Sequence, residues 1–127
     1  MSSKGNILVV DDEPHILKMN KDLLEKSGYT VTTASNTMGA GYLLEGFNPD
    51  LVLLDIMLPG TLSGDQVCES LRALKPGLKI VFYSGIDEGR LKALAEQHKA
   101  DAFISKGTRP TVLLNTIQRL LGGSGAG

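Results

Sequence analysis

The chain has 127 residues, of which 42% are hydrophobic and 21% charged, a length and composition that predict one globular domain with a hydrophobic core. The formal net charge is −1, and the scattered Lys and Arg residues give no basic excess for nucleic-acid binding. The sequence has no ~20-residue apolar segment, no secretory signal and only one cysteine, Cys68, so we expect a cytoplasmic protein with no membrane partner and no intrachain disulfide.

Short β-like runs alternate with helical patterns along the chain. The β-like runs cover residues 7–10, 29–34, 51–54, 79–83 and 102–104. The helical patterns cover about residues 14–26, 37–45, 64–74, 88–99 and 110–121. Right-handed βα crossovers then predict an α/β fold, a flavodoxin-like doubly wound five-stranded parallel sheet in the order 2-1-3-4-5, with helices on both faces. Residues 122–127, rich in Gly, are expected to form a flexible tail behind a domain of residues 1–121.

Acidic side chains follow two strands that are neighbours in this order. Asp11 and Asp12 come directly after the first strand, and Asp55 directly after the third. Since parallel strands end at the same edge, these carboxylates meet at the switch point where ligands bind in such sheets. Close carboxylates repel one another unless a cation lies between them, and Mg²⁺ is the natural choice because it also leaves sites for water and phosphate. Alternatively, Asp12 or Glu13 only caps the following helix and Asp55 only caps a turn.

The last two strands end in a hydroxyl, Ser84, and an ammonium, Lys106. Alone, Ser84 is typical of a turn and Lys106 of a solvated surface. Together with Asp55 as an oxygen nucleophile and a metal site beside it, they form a set that could hold a transferring phosphoryl group. Attack by a carboxylate to give an aspartyl phosphate is established covalent chemistry. The joint placement at four strand ends favours this functional interpretation.

With these residues the chain resembles a chemotaxis-regulator-like response-regulator receiver domain of two-component signalling, over about residues 6–121. The resemblance implies that Asp55 accepts a phosphoryl group from a phosphohistidine donor. It also implies that Asp12 binds Mg²⁺ directly and Asp11 mainly through water, with the backbone carbonyl of Met57 as a further metal ligand. The domain would not be an enzyme, apart from catalysing its own phosphorylation and dephosphorylation.

The same resemblance assigns roles near the end of the chain. Lys106 would pair with the phosphoryl group, Ser84 would move to hydrogen-bond it, and Phe103 would be a switch aromatic that turns inward. For Phe103, plain core packing is the alternative. The partners would be a histidine kinase or phosphotransfer protein and a downstream effector, the latter bound by the face of the fourth helix, fifth strand and last helix, about residues 88–121. His98 lies on that face and is expected to be a surface residue.

Two features depart from the family pattern. Lys106 precedes Gly107, where the family usually has a proline in a cis peptide bond, and this leaves the reach of Lys106 open. The turn that contains Pro59 is one residue longer than usual. As a hypothesis, the apolar side chains of Met57 and Ile86 shield the acyl phosphate from water and give it a long lifetime.

Two other functions stay open. A phosphotransferase of the haloacid-dehalogenase type also uses a strand-end Asp and Mg²⁺, but it requires a second acid where this chain has Met57. A degenerate receiver that serves only as a protein-binding platform is kept open by Gly107, although the acidic set argues against it. A nucleotide-binding module is not expected, because no glycine-rich phosphate-binding motif follows the first strand.

Overall fold

The computed structural model describes residues 3–36, 44, 46–57 and 64–121, except for the side chains of residues 64 and 65. The described strands are β1 (Asn6–Val10), β2 (Thr30–Ala34), β3 (Leu51–Leu54), β4 (Lys79–Ser84) and β5 (Ala102–Ser105). The helices whose two ends are both described are α1 (Pro14–Lys26), α2 (Gly64–Leu74), α3 (Glu88–Gln97) and α4 (Pro110–Leu121). All strand pairs are parallel and the order is β2-β1-β3-β4-β5, which confirms the predicted doubly wound sheet.

The winding direction of the sheet changes between β1 and β3. Their register places Val10 beside Leu54. The next residue of each strand, Asp11 and Asp55, therefore leaves the sheet at the same height. The predicted switch point is thus lined by the two acids that the sequence pattern places there.

The central strands β1, β3 and β4 are buried on both faces of the sheet and are almost entirely apolar. In β1, β3 and β4 the even-numbered core residues pack with α2 and α3, and the odd-numbered ones pack with α1 and α4. Successive residues of a strand point to opposite faces, so an uninterrupted apolar run is what a sheet covered on both sides requires. Each Leu or Ile buried in this way stabilises the fold by roughly 1.5–3 kcal/mol relative to exposure.

Helix α3 ends two residues before its predicted end. His98 occupies the C-cap and Lys99 takes a left-handed φ of 56°, which stops the helix. Arg72 of α2 donates hydrogen bonds to the carbonyls of His98, at 3.0 Å, and Lys99, at 2.8 Å. The expectation that His98 is a surface residue is wrong, because its side chain is only 11% exposed beside Glu69 of α2. The periodic pattern of α3 could not reveal these contacts, since both partners come from another helix.

One polar side chain lies on the buried stripe of α1. Asn20 is 1% exposed, one helical turn before Leu24. Its Nδ2 finds no hydrogen-bond partner in the described part of the chain. A buried donor without a partner costs roughly 1–3 kcal/mol, so Asn20 weakens the packing of α1.

Parts of the sequence prediction lie outside the described residues. These parts are most of the helix predicted over 37–45, the turn that contains Pro59, and the tail over 122–127. Leu44, which is described, is helical and buried.

Cys68 packs in the core as predicted. Of the helices that the structure describes, none combines the length and apolar character needed to cross a membrane.

Candidate functional site

Asp11, Asp55 and Lys106 each extend the backbone ladder of the sheet by one hydrogen bond. The N–H of Asp11 donates to the last carbonyl of β2 at 3.1 Å, and that of Asp55 to the last carbonyl of β1 at 3.0 Å. The N–H of Lys106 donates to the last carbonyl of β4 at 2.8 Å. The sheet itself therefore fixes the height at which each side chain begins.

The two buried acids use their carboxylate oxygens in the same way. Asp11 Oδ1 accepts from the N–H of Glu13 at 3.0 Å, and Asp55 Oδ1 accepts from the N–H of Met57 at 2.8 Å. Such bonds to the backbone two residues ahead are typical of Asp in turns. The turn-capping role considered for Asp55 therefore uses only the oxygen Oδ1, and Oδ2 is left for Lys106.

Lys106 joins both acids across the edge of the sheet. Its Nζ lies 2.8 Å from Asp11 Oδ2 and 3.1 Å from Asp55 Oδ2. The contact with Asp11 is an ion pair whose angles do not suit a hydrogen bond, so Asp11 Oδ2 is held by charge. The Lys106 side chain is 18% exposed, and the alternative of a solvated surface charge is therefore wrong.

Burial and these contacts together shift the pKa values of Asp55 and Lys106. Burial raises the pKa of Asp55; the N–H of Met57 and the ammonium of Lys106 oppose the rise, and the charge of Asp11 adds to it. Burial alone would lower the pKa of Lys106, but the close contacts with the negatively charged Asp11 and Asp55 outweigh burial and raise this pKa above its usual value. Lys106 therefore stays positively charged at neutral pH and can pair with the carboxylate of Asp55.

Asp11, Asp12 and Asp55 form a cluster of three acids. Each brings one carboxylate oxygen to within 4.8 Å of the other two. Asp11 and Asp55 are buried and Asp12 is exposed, so the cluster is open to solvent on one side. Three carboxylates this close repel one another, and the one ammonium of Lys106 cannot balance them. The donor set suits a hard divalent cation with oxygen ligands, which keeps some of its water.

Ser84 reaches the same edge, whereas Phe103 does not. Ser84 is the last residue of β4 and is fully buried, and its Oγ accepts from the N–H of Ile86 at 3.2 Å. A hydroxyl that accepts one hydrogen bond can still donate another. Phe103 lies in the middle of β5, in register with Phe82, and packs against the core on the side of α2 and α3.

Phe103 is one of the residues that line an open cleft of about 340 Å³. Ala95 and Lys99 line it from the α3 side, and Thr116 and Arg119 line it from α4. Phe103 thus lines the cleft and also packs against the core. Its position fits the predicted switch, which stays a prediction.

The loop after Lys106 departs from the family pattern without losing the contact. Every peptide bond in the described ranges is trans, including the one that joins Lys106 to Gly107. Gly107 has a φ of 93°, which L side chains rarely adopt, so this turn depends on glycine. The trans bond still lets the Lys106 ammonium reach both buried acids.

Two residues at the site were not predicted as part of it. Glu13 occupies the N-cap of α1, but its Oε1 lies 3.2 Å from Lys106 Nζ. The ring of Tyr83 faces the same ammonium, with 5.6 Å between its centroid and Nζ. The acidic run after β1 was a signal for Glu13. Nothing in the sequence pointed to Tyr83, because strand alternation turns its ring away from Ser84.

The match to a known protein family covers most of the chain. The family model described as "Response regulator receiver domain" matches residues 7–118. The chain belongs to the response regulator receiver domain family. It is a signalling domain of two-component systems rather than a classical enzyme, and neither the haloacid-dehalogenase alternative nor the degenerate receiver is favoured.

Two curated relatives of this receiver domain are bacterial transcriptional regulatory proteins. It is 38% identical to the alkaline phosphatase synthesis transcriptional regulatory protein PhoP of Bacillus subtilis, over 91% of this chain and 48% of that protein. It is 35% identical to the phosphate regulon transcriptional regulatory protein PhoB of Pseudomonas aeruginosa, over 95% of this chain and 53% of that protein. The receiver domain thus spans about half the length of the curated relatives it matches.

Solved structures show the same fold. A CheY-like response regulator receiver domain protein from Methanospirillum hungatei JF-1 superposes with a TM-score of 0.85 at 33% identity, covering 94% of each chain. The BeF3-activated N-terminal receiver domain of Klebsiella pneumoniae RstA gives a TM-score of 0.84 at 32% identity, over 92% of this chain and 98% of that one. These matches agree with the strand order found for this receiver domain.

Proposed function

We propose that Asp55 is the phosphoacceptor of this receiver domain and that its donor is a phosphohistidine on a histidine kinase or phosphotransfer protein. The observation that carries the proposal is the 3.1 Å contact between Asp55 Oδ2 and Lys106 Nζ, at an edge where three carboxylates lie within 4.8 Å of one another. Asp55 follows the central strand β3 and has a neighbouring acid on one side and a fixed cation on the other.

The transfer exchanges one bond to phosphorus for another. The bond between phosphorus and the imidazole nitrogen of the donor breaks as phosphorus bonds to a carboxylate oxygen of Asp55. The electron pair of the broken bond stays on the imidazole nitrogen, which takes up a proton from water. The product is an aspartyl phosphate and a neutral histidine.

Residues of this chain orient and stabilise the groups that react. The N–H of Met57 holds Asp55 Oδ1, so Oδ2 is the oxygen left to attack. Lys106 lies beside Oδ2 and pairs with the transferred phosphoryl group, and the hydroxyl of Ser84 donates to it. Asp11, Asp12 and Asp55, with the carbonyl of Met57, would hold Mg²⁺. When bound, this ion neutralises charge on the transferring oxygens.

The face formed by α3, β5 and α4 carries the output of the switch. Phosphorylation adds about −1.5 to −2 charge at the sheet edge and draws the Ser84 hydroxyl towards it. The movement frees space above β5, and the Phe103 ring turns inward. A downstream effector then binds residues 88–121, whereas the balanced charge of the chain gives this domain no role in direct nucleic-acid binding.

We also assign the receiver domain to residues 1–121 and a flexible tail to residues 122–127. A cytoplasmic location suits a domain that receives its phosphoryl group from a kinase. Both assignments rest on the sequence and stay predictions.

The test is phosphorylation by a small donor. The protein is incubated with Mg²⁺ and acetyl phosphate, and the intact mass is measured for wild type and for Asp55→Asn. We expect a single added phosphoryl group on the wild type only, and its loss when Mg²⁺ is removed by a chelator. An adduct on both proteins, or on neither, would overturn the assignment of Asp55.

A further inference from the structure

The Lys106 ammonium has a carboxylate contact from outside the predicted metal set. Glu13 Oε1 lies 3.2 Å from Nζ, almost as close as Asp55 Oδ2 at 3.1 Å. The Glu13 backbone is fixed, because its N–H donates to Asp11 Oδ1 and its carbonyl accepts from the N–H groups of Ile16 and Leu17. Its side chain is 47% exposed, whereas those of Asp11 and Asp55 are 0% and 4% exposed. Glu13 is thus the contact that Lys106 can release most easily.

Glu13 also adds to the charge of the site. Among the described residues, four carboxylates surround this edge and Lys106 is the cation in contact with three of them. The excess of negative charge attracts a divalent cation and repels an incoming phosphoryl group. Lys106 can pair with that phosphoryl group only by weakening its hold on the carboxylates around it.

We propose that Glu13 is a positioning residue that holds Lys106 in the unphosphorylated domain, favouring cation binding while slowing phosphorylation of Asp55. This inference rests on the proposed roles of Asp55 and Lys106. The contact is half exposed, and ion pairs of this kind are weak, so Glu13 changes the rate by roughly two- to fivefold and does not decide whether the reaction occurs.

The contact between Glu13 and Lys106 is tested first, without Mg²⁺ and without a phosphoryl donor. NMR of the lysine ammonium ¹⁵N signals, with Lys106→Arg used to assign Lys106, reports hydrogen exchange with water. We expect faster exchange for Lys106 in Glu13→Gln than in wild type. Glu25→Gln removes the same charge from an exposed position on α1 and should leave the Lys106 signal unchanged. Equal exchange in wild type and Glu13→Gln would overturn the proposal.

The second arm separates cation binding from transfer. We expect Glu13→Gln to bind Mg²⁺ roughly two- to fivefold more weakly, and yet to form the adduct roughly two- to fivefold faster once Mg²⁺ is saturating. A variant with a damaged site would show both weaker Mg²⁺ binding and slower adduct formation. A fall in the rate constant at saturating Mg²⁺ would therefore contradict the proposed role of Glu13. Glu25→Gln should match wild type in both measurements.

Glu13→Asp separates the contact from the charge. It keeps the carboxylate but shortens the side chain by one methylene, so we expect Mg²⁺ affinity near that of wild type together with fast Lys106 exchange and fast transfer. If only Glu13→Gln were faster, charge alone would explain the effect and the holding role would be wrong. Failure of the phosphoacceptor proposal has a different result, namely no adduct on wild type, and the NMR experiment would still decide the contact.

Discussion

Asp55 and Lys106 leave the sheet from β3 and β5, which are separated by β4, and yet their charged atoms lie 3.1 Å apart. The lysine side chain therefore crosses the end of the strand that carries Ser84. Any change in the charge on Asp55 acts directly on Lys106 and on the loop that follows it. The relationship explains how one modified carboxylate can influence the far edge of the sheet.

Removal of the Lys106 ammonium should cripple phosphorylation. Lys106→Met keeps the apolar stem but leaves the transferring oxygens without a fixed cation, and we expect the rate of adduct formation to fall about 100-fold. Intact mass, followed over time with acetyl phosphate and Mg²⁺, measures this rate. Lys92→Met, at an exposed position on α3, should react like wild type. A normal rate in Lys106→Met would show that the ammonium is not used.

The ionisation of Asp55 should make stability depend on pH. Because burial raises its pKa in the folded state, folded Asp55 holds its proton to a higher pH than the unfolded chain does. Its contribution to stability therefore falls as pH rises from the ordinary value of 3.8 through the raised pKa, and it stays unfavourable above that. In the absence of Mg²⁺, Asp55→Asn should be more stable than wild type at neutral pH.

The check is urea unfolding of both proteins at several pH values with a chelator present. The difference between them should shrink towards acid pH, where wild-type Asp55 is protonated. Asp22→Asn, at an exposed ion pair with Lys18, serves as the control and should show a much smaller difference. A gap between wild type and Asp55→Asn that widened in acid would contradict the raised pKa.

Asn20 offers a route to a more stable domain. Asn20→Leu removes a buried amide whose Nδ2 has no partner in the described ranges and fills the apolar stripe of α1, so we expect a gain of about 1–2 kcal/mol in the free energy of unfolding. Urea unfolding measures the gain. Lys21→Leu, next along α1 but exposed, should change stability by less than ~0.5 kcal/mol. A loss of stability in Asn20→Leu would mean that the amide has a partner.

Gly107 should tolerate no side chain without cost. Its surroundings leave space for a Cβ, but its φ of 93° does not suit L residues, so Gly107→Ala should lose about 1–2 kcal/mol of stability. The variant should also phosphorylate more slowly, because the strained turn displaces Lys106. Gly77 has equal space and no left-handed φ, and Gly77→Ala should be neutral or stabilising. Equal unfolding curves for the two variants would show that the turn at Gly107 adapts.

The lifetime of the phosphoform should depend on Met57 and Ile86. Met57 is 58% exposed beside Asp55, and Ile86 packs against the core beyond Ser84. Replacing both with polar residues that can orient water, Met57→Asn with Ile86→Glu, should speed dephosphorylation by about tenfold. Loss of the adduct mass after removal of the donor gives the rate. Met19→Asn, at an exposed methionine on α1, should leave it unchanged, and an unchanged rate in the double variant would reject the shielding hypothesis.

The sequence was informative about features that a single strand or helix determines. Apolar runs bounded by turn residues located the strands, and the first one or two residues after these runs located Asp11, Asp55 and Lys106. The acidic run after β1 pointed to Glu13, but the sequence could not show that the Glu13 carboxylate or the Tyr83 ring contacts the ammonium, because these contacts join different elements. The buried Asn20 was equally hidden, since helical periodicity marks the apolar members of a stripe and passes over a polar one.

The guanidinium of Arg72 has a consequence for how the domain changes shape. It binds the carboxyl end of α3 through the carbonyls of His98 and Lys99, whereas the amino end begins at Asp87, just beyond Ser84 and Ile86. We therefore expect α3 to rotate about its carboxyl end, which Arg72 fixes, with the largest displacement at Glu88. A partner that senses phosphorylation would then read the angle of one helix.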